Sequence, residues 1–423
     1  MASSRFIPFL ILLFLLQFDQ ANAASLRSSC RMKAGAPRTI TGNAVNDRLP
    51  IASVSKIMTS WWIVSNRGLQ YRFETKFHVI PVEDGKFDVH VQGSRDPYFG
   101  KESLHFAISE LNKHGIKNIR NFTFDENFKF FRDVTSASVA HGFYTPTSPS
   151  PSRVLSELKA MGSLTSGYDA TFKRAQGRKI DMVKSPVFTV ENIAFQAQNQ
   201  FDQIPEISFV MRSAPLLAIL KEMNRNSNNH AANQIFEHLG GAEAFREYVL
   251  AKLGIDQNDM LFYNGSGDRV DLPTGKAYNE ATCAATLKII DDLRIELVKR
   301  KKRLEDVLAV IGRDTTSTAH KLYNNSLTAA SVLAKTGTVN PAVTLGGLVH
   351  SKTGDYVYMI NVATTGGSDW ANGRNIIRSN LLSLVRQLGG AKPIRYSAPP
   401  TFLSFDEGSK FRLQINARAE LQR

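Results

Sequence analysis

The feature that most constrains the fold is an apolar stretch that begins at residue 50. The sequence PIASVSKIMT at residues 50–59 continues into Trp61, Trp62 and Val64. Apolar side chains cover nearly all sides of the helix that this stretch predicts, as in a helix inside a core rather than on a surface. A glycine stop signal follows at Gly68. We therefore expect a turn that runs into a buried helix, with Ser53 at the helix start.

Two side chains of this stretch can carry chemistry. Ser53 and Lys56 are three residues apart, so a helix places them on one face. A serine hydroxyl needs a neighbouring base, and a lysine is one only when burial or a second cation lowers its pKa. The free N–H groups at the helix start can stabilise an oxyanion. A single S-x-x-K match is weak, since Ser156 and Lys159 have the same spacing.

The N-terminus predicts export. Arg5 is followed by an apolar run from Phe6 to Phe18 and by the small residues Ala21 and Ala23, the layout of a secretory signal peptide over residues 1–23. The apolar run is shorter than the roughly 20 residues that span a bilayer. We therefore expect cleavage, a periplasmic or secreted protein, and no transmembrane segment in the mature form.

The charge and the cysteine count restrict the partners and cofactors. The formal net charge of +14 suits an anionic partner. Because the chain is expected to be exported and no helix-turn-helix, zinc-finger or ribonucleoprotein pattern occurs in it, we expect cell wall rather than nucleic acid. Cys30 and Cys283 could form a disulfide, but the sequence leaves their pairing open. No cluster has metal-ligand spacing, so we expect neither a metal nor another cofactor.

The order of the predicted elements indicates an α/β (α+β) chain of more than one domain. After residue 70, two alternating runs around a turn predict a β-hairpin, followed by a helix over about residues 101–114 and a strand. We interpret residues 71–205 as an inserted domain, and residues 24–70 and 206–390 as a discontinuous catalytic domain. A helix is expected over about residues 304–311. Residues 391–423 form a polar C-terminal tail to which the sequence assigns no role.

Two further motifs follow the first one in order. Ser227 and Asn229 form an S-x-N motif on the link between two predicted helices. Lys335-Thr336-Gly337 lies in a strand-like run that continues to Thr338. A second K-T-G triplet starts at Lys352, but two clear strands flank it, so we expect a hairpin turn with its lysine in solvent. The glycine-rich sequence YNGSGD at residues 263–268 predicts a tight turn.

The ordered set of S-x-x-K, S-x-N and K-T-G resembles the penicillin-recognising serine enzymes. In more detail, the chain resembles class C low-molecular-mass penicillin-binding proteins, the D-Ala-D-Ala carboxypeptidase/endopeptidase family of the serine β-lactamase-like superfamily. It covers about residues 45–390. It implies an antiparallel sheet flanked by helices, and the short spacing between Lys56 and Ser227 implies one inserted α+β domain. This chain departs from the family at Asn228 and Asn264, where Asp is usual.

The resemblance also implies a role for each catalytic residue. Ser53 attacks the D-Ala carbonyl and forms an acyl-enzyme. Neutral Lys56 takes the serine proton, and Ser227 relays a proton to the leaving amine. Water then releases the acyl group, and no cofactor is needed.

The same resemblance assigns the substrate-binding residues. Asn229 binds the peptide amide, and Lys335 supplies a second positive charge. The hydroxyls of Thr336 and Thr338, which flank Gly337, bind a carboxylate. The backbone N–H groups of Ser53 and Thr338 form the oxyanion hole.

These assignments predict an exported serine hydrolase of peptidoglycan stem peptides. We expect DD-endopeptidase and DD-carboxypeptidase activity, with β-lactam antibiotics as covalent inhibitors. Two alternatives are a β-lactamase and a non-catalytic wall-binding or sensor module on the same fold. The predicted inserted domain argues against the first alternative, and the three intact motifs argue against the second.

Overall fold

The computed structural model describes residues 24–35, 39–82, 85–131, 143–144, 166–198 and 207–415. The predicted signal peptide and Ser156 lie outside these ranges. The strands are β1 Ser25–Lys33, β2 Ile40–Asn43, β3 Leu49–Pro50, β4 Glu74–Pro81, β5 Phe87–Gln92, β6 Asn118–Phe124, β7 Phe130–Phe131, β8 Phe143–Tyr144, β9 Thr189–Phe195, β10 Ile207–Arg212, β11 Met260–Leu261, β12 Val270–Leu272, β13 Gly275–Ala277, β14 Glu280–Ala281, β15 Ala309–Val310, β16 Val332–Val339, β17 Ala342–Ser351, β18 Gly354–Ala363 and β19 Arg412–Ile415.

The α-helices are α1 Ser55–Arg67, α2 Lys101–Lys113, α3 Ser166–Gln176, α4 Leu216–Asn226, α5 Asn229–His238, α6 Gly241–Leu253, α7 Cys283–Lys299, α8 Thr318–Tyr323 and α9 Trp370–Gln387. Short 3₁₀ turns lie at Ala52–Val54, Leu304–Asp306, Gly367–Asp369 and Glu407–Ser409. None of the helices in the described part of the chain is long and apolar enough to cross a bilayer.

The main sheet is antiparallel and has the strand order β15-β16-β17-β18-β1-β2. Helix α9 covers one face, where Ile377, Leu381 and Val385 pack against apolar residues of β17 and β18. Helix α7 covers the other face together with α1. Because both faces are covered by helices, strands β16, β17 and β18 are buried over most of their length, and Lys335 on β16 lies inside the protein.

Helix α1 is the buried helix that the sequence predicts. Trp61 is fully buried and Trp62 nearly so, and each large apolar side chain removed from water contributes about 1.5–3 kcal/mol. The helix ends at Gly68, whose φ of 76° suits a residue without Cβ. Two polar contacts fix its rotation: the Trp61 indole N–H donates to Asp292 on α7, and the Asn224 amide of α4 donates to Ser60.

The second sheet is mixed and has the order β19-β10-β4-β5-β6-β9, with parallel pairing of β5, β6 and β9. Helix α2 packs on one face through Leu104, Phe106 and Ile108. Strand β10, which follows the predicted boundary at residue 206, pairs with β4 in this sheet. The apolar alternation of β10 predicts a strand but not which sheet it joins.

The C-terminal segment joins the second sheet, which the sequence did not predict. Strand β19 pairs with β10, and Leu403 and Phe405 are buried in the core beneath the sheet. The Arg72 guanidinium donates two hydrogen bonds to the Asp406 carboxylate, at 2.7 and 2.8 Å. A bidentate pair of this kind fixes direction as well as distance. The segment starts at a β-bridge between Ala391 and Ser351 of β17 and ends in the second sheet, so it connects the two sheets.

Two further observations settle points that the sequence left open or predicted wrongly. Cys30 on β1 and Cys283 at the start of α7 form a disulfide across 253 residues of chain. The helix expected over residues 304–311 is wrong. That segment forms a 3₁₀ turn and then β15, because its run of buried apolar residues extends the main sheet beside β16.

Candidate active site

The predicted nucleophile lies on a tight turn rather than in the helix itself. Ser53 is half-buried in the 3₁₀ turn that precedes α1. Ala52, directly before it, has a φ of 48°, which is strained for a residue with a side chain. The backbone of Gly267 lies so close to the Ala52 carbonyl that no side chain would fit there. These contacts hold Ser53 where α1 meets the main sheet.

Lys56 is fully buried beneath this serine and makes three hydrogen-bond contacts. Its Nζ lies 2.8 Å from Ser53 Oγ, 2.7 Å from Asn229 Oδ1 and 3.0 Å from the Ser266 carbonyl oxygen. Burial, and secondly the Lys335 ammonium, hold the pKa of Lys56 well below the usual range of a lysine. A neutral amine has two N–H groups and one lone pair. The two carbonyl oxygens can only accept, so the lone pair is left for the Ser53 hydroxyl.

The second motif connects helices α4 and α5. Ser227 caps α4 in the left-handed conformation with a φ of 59°. The Asn228 side chain accepts a hydrogen bond from the Ala231 N–H and caps α5. Asn229 is the first residue of α5. The reversal between the two helices thus turns Ser227 and Asn229 toward the two lysines.

The third motif lies on β16, whose strand carries a lysine into the interior. Lys335 is fully buried, and its Nζ donates to Ser227 Oγ at 2.8 Å and to the Thr336 carbonyl at 2.7 Å. Burial lowers the pKa of Lys335 to about 7. The Thr336 hydroxyl lies 2.9 Å from the hydroxyl of Thr318 on α8. Thr338 follows on the same strand and is half-buried.

Gly337 is where β16 approaches the nucleophile. A Cβ at this position would lie 2.9 Å from the Ser53 backbone nitrogen and 2.8 Å from the Ala52 Cβ. Any side chain would force the strand and the turn apart. Glycine is therefore required here for a close approach rather than for backbone freedom.

The glycine-rich turn at residues 263–268 forms one wall of the site, which sequence reasoning missed. The turn is a tight one, as predicted, and the Asn264 side chain organises it by accepting from the N–H groups of Ser266 and Gly267. Its Ser266 carbonyl contacts Lys56, and its Asp268 carboxylate accepts from Asn229 Nδ2 at 3.0 Å. The available signals were the resemblance of residues 264–267 to the family pattern and the glycine at 267, and neither discloses that a carbonyl and a carboxylate of the turn contact the motif residues.

The second K-T-G triplet lies away from the site, which confirms the prediction. Lys352 is exposed in the hairpin turn between β17 and β18, where Ser351 pairs with Gly354. Among the predicted site residues, Lys56 is hydrogen-bonded to Ser53 and Asn229, and Lys335 is hydrogen-bonded to Ser227. Thr336, Gly337 and Thr338 lie on the strand beside it.

Comparison with known proteins agrees with this arrangement. The profile of the D-Ala-D-Ala carboxypeptidase 3 (S13) family matches residues 190–381. The predatory endopeptidase Bd0816 of Bdellovibrio bacteriovorus, solved with the immunity protein Bd3460, is 33% identical with a TM-score of 0.82, and the match covers 92% of this chain and 100% of that one. The chain belongs to the S13 D-Ala-D-Ala carboxypeptidase family. The resemblance to low-molecular-mass penicillin-binding proteins and the α+β fold class are thereby confirmed.

Two other solved structures extend the comparison. The Bdellovibrio bacteriovorus endopeptidase Bd3459, solved as a penicillin G acyl-enzyme with Bd3460, is 35% identical with a TM-score of 0.82, over 92% of this chain and 100% of that one. Penicillin-binding protein 4 of Haemophilus influenzae matches 89% of this chain and 100% of its own at 13% identity, with a TM-score of 0.57, and shows the fold alone. No curated protein matches the chain.

Proposed function

We propose that the protein is a serine DD-peptidase that hydrolyses D-alanyl peptide bonds of peptidoglycan through an acyl-enzyme on Ser53. One observation carries this proposal: the Ser53 hydroxyl lies 2.8 Å from a fully buried amine whose pKa is strongly lowered. A serine beside a base that is neutral at physiological pH is an activated nucleophile. Membership of the S13 family supports the same reaction.

Acylation begins with proton transfer from Ser53 to Lys56. The Lys56 lone pair accepts the hydroxyl proton as Oγ forms a bond to the D-Ala carbonyl carbon. The developing oxyanion is stabilised by the backbone N–H groups of Ser53 and Thr338, with each donor worth roughly 3–4 kcal/mol. The close approach that Gly337 permits brings β16 beside the Ser53 nitrogen, which supports this assignment.

The scissile C–N bond breaks when the leaving amine gains a proton. Ser227 is hydrogen-bonded to Lys335, and Lys335 in turn lowers the pKa of Lys56. We assign to Ser227 the transfer of the proton from Lys56 to the amine nitrogen. Water then attacks the acyl carbon, Lys56 takes one proton from it, and Ser53 Oγ leaves with that proton.

Substrate binding falls to the strand and to the second motif. The Lys335 ammonium and the hydroxyls of Thr336 and Thr338 suit the carboxylate of a stem peptide or of a penicillin. Asn229 lies beside Lys56 and can hydrogen-bond the peptide amide. Because the Thr336 hydroxyl is hydrogen-bonded to the Thr318 hydroxyl, the Thr336 hydroxyl is already oriented before substrate binds.

The relatives extend the proposal to the crosslink. Bd3459 is described as a peptidoglycan endopeptidase and has been solved as a penicillin G acyl-enzyme. We infer that this chain is acylated by penicillin in the same way and that it cleaves crosslinked dimers as well as terminal D-Ala. A single inserted domain would leave the cleft around Ser53 less covered, which suits a large crosslinked substrate.

Digestion of isolated sacculi tests this function. The purified protein should convert crosslinked muropeptide dimers to monomers and should remove terminal D-Ala from pentapeptides. Ser53→Ala, which keeps the fold and removes the nucleophile, is the control and should leave both unchanged. Dimers that persist while pentapeptides shorten would contradict the endopeptidase assignment. No change in either product would contradict the proposed function as a whole.

A β-lactamase is the competing enzyme on this fold. The two outcomes differ in the lifetime of the penicillin adduct. A peptidase should retain the penicilloyl group for many minutes, whereas a β-lactamase should release it quickly and turn over the drug. Rapid multiple turnover of penicillin would contradict the peptidase assignment.

We also infer that the protein is exported. The signal-peptide pattern of residues 1–23 motivates this inference, and the Cys30–Cys283 disulfide fits an oxidising compartment. N-terminal analysis of protein from the producing cell should find Ala24 as the first residue. Retention of Met1 and the apolar run would contradict it.

A further inference from the structure

Asp268 is an exposed carboxylate at the rim of the site, outside the three motifs. It lies at the end of the glycine-rich turn, and its Oδ2 accepts a hydrogen bond from Asn229 Nδ2 at 3.0 Å. Its Oδ1 accepts from the Arg269 N–H at 2.8 Å, which holds the carboxylate in place. The turn is itself fixed, because the Asn264 amide donates to the Asp268 carbonyl at 3.0 Å.

The contact with Asp268 also determines which atom of the Asn229 amide faces Lys56. With Nδ2 directed to Asp268, Oδ1 points to Lys56 Nζ at 2.7 Å. A carboxylate accepts but cannot donate, so it selects one of the two orientations of a neighbouring amide. In the reversed orientation Oδ1 would face the Asp268 carboxylate and be repelled. Asp268 therefore determines which atom of Asn229 meets the lysine.

The orientation matters because Lys56 has a single lone pair when it is neutral. With the Asn229 amide in this orientation, the two N–H groups of a neutral Lys56 donate to the carbonyl oxygens of Asn229 and Ser266, and the lone pair remains for the Ser53 hydroxyl. A reversed Asn229 amide would present its NH₂ group to Lys56. The lysine would then accept from Asn229, and the base would be withdrawn from the nucleophile.

We propose that Asp268 is a positioning residue that fixes the Asn229 amide so that Lys56 remains available as the base for Ser53. This inference rests on the proposed acylation of Ser53 with Lys56 as the base. It assigns a function to the turn at residues 263–268 that the three motifs do not contain.

Charge provides a second and independent effect of the same carboxylate. Two charged groups in the described part of the chain act on Lys56: Lys335 on β16 lowers its pKa, and Asp268 raises it. Removing the Asp268 charge therefore lowers the pKa of Lys56, and the neutral amine persists to lower pH. The acylation rate falls at acid pH as Lys56 becomes protonated, and this acid limb of the pH profile should move to lower pH. Loss of the Asn229 orientation should lower the plateau, which is the maximal rate at higher pH.

The test is the pH profile of the second-order rate of acylation by labelled penicillin G. Asp268→Asn is nearly isosteric, but its amide both donates and accepts and so selects neither orientation of Asn229. Its plateau should fall about tenfold, the effect of one charged hydrogen bond. Its acid limb should move down by on the order of half a pH unit or more. Asp268→Glu retains the carboxylate on the exposed rim and should recover most of the plateau.

Asp271 offers a matched control. It is an exposed carboxylate three residues further on, paired with Arg269, and Asp271→Asn should leave the profile unchanged. Destabilisation alone would lower the amplitude of labelling without moving the acid limb. A wild-type plateau in Asp268→Asn would overturn the inference. If the wild-type protein is not acylated at all, the proposed function fails instead, so the two failures are distinguishable.

Discussion

At the scale of single residues, the lysines of the two K-T-G triplets allow a matched comparison of a buried site lysine with an exposed one. Lys335 is buried beside Ser227 and lowers the pKa of Lys56, whereas Lys352 is exposed in a hairpin turn. Lys335→Ala should lower penicillin acylation by roughly 100-fold, as loss of a preorganised charge does in other sites. Without this ammonium the pKa of Lys56 rises, so the acid limb of the rate should move to higher pH.

Lys352→Ala is the control and should reproduce the wild-type profile. Equal effects of the two substitutions would contradict the assignment of β16 to the site. The alkaline side offers a second check. Burial places the pKa of Lys335 near 7, so the second-order rate with an anionic substrate should decline as pH rises through that range in the free enzyme.

The same scale shows what a sequence discloses about such a site. The hydroxyls and lysines were predictable, because a three-residue spacing places Ser53 over Lys56 on a helix and because the ordered set of three motifs resembles a known family. The contributions of Ser266 and Asp268 were not. One acts through a backbone carbonyl, which every residue has, and the other through an exposed carboxylate whose position depends on how the turn packs against Ala52.

At the scale of elements, the contact between β16 and the nucleophile turn carries a prediction. An alanine at residue 337 would place its Cβ 2.9 Å from the Ser53 nitrogen. Gly337→Ala should therefore lower acylation at least tenfold and destabilise the protein by about 1–3 kcal/mol, the usual cost of overpacking. Rates of penicillin labelling and denaturant unfolding measure the two effects.

Gly367→Ala is the comparison. Gly367 is exposed, and its nearest neighbour to a new Cβ would be 4.0 Å away. This variant should match the wild type in both measurements. Normal acylation in Gly337→Ala would contradict a close approach of the strand to Ser53.

Helices and strands were predicted correctly where the apolar residues followed a single helical or strand period. Helix α1 and the hairpin of β17 and β18 followed from such patterns. Residues 304–311 did not, because a short buried apolar run has no periodicity that separates helix from strand. Its pairing with β16 decided the outcome.

At the scale of the whole molecule, the C-terminal segment links the two sheets. We propose that the second sheet and its core form the inserted domain, extended beyond residue 205 by β10 and by β19. Leu403 is buried in that core, whereas Leu413 on β19 is 56% exposed. Leu403→Asp should lower the free energy of unfolding by about 3–5 kcal/mol, since it removes apolar packing and buries a carboxylate.

Leu413→Asp makes the same chemical change at an exposed position and should alter the free energy of unfolding by less than about 1 kcal/mol. Denaturant unfolding of the two variants compares them directly, and similar values would contradict a structural role for the segment. The sequence could not predict this role, because the partners of the segment are distant in the chain: β19 pairs with β10, and Asp406 pairs with Arg72, 334 residues earlier. Pairing over such a distance leaves no local pattern.

The central claim is that Ser53 is the nucleophile, and one measurement tests it most directly. The protein is treated with labelled penicillin G, digested, and analysed by mass spectrometry. We predict one penicilloyl group per chain, on the peptide that contains Ser53, and its loss in Ser53→Ala while Ser156→Ala retains it. An adduct on Ser156 or any other residue, or no adduct at all, would contradict the account.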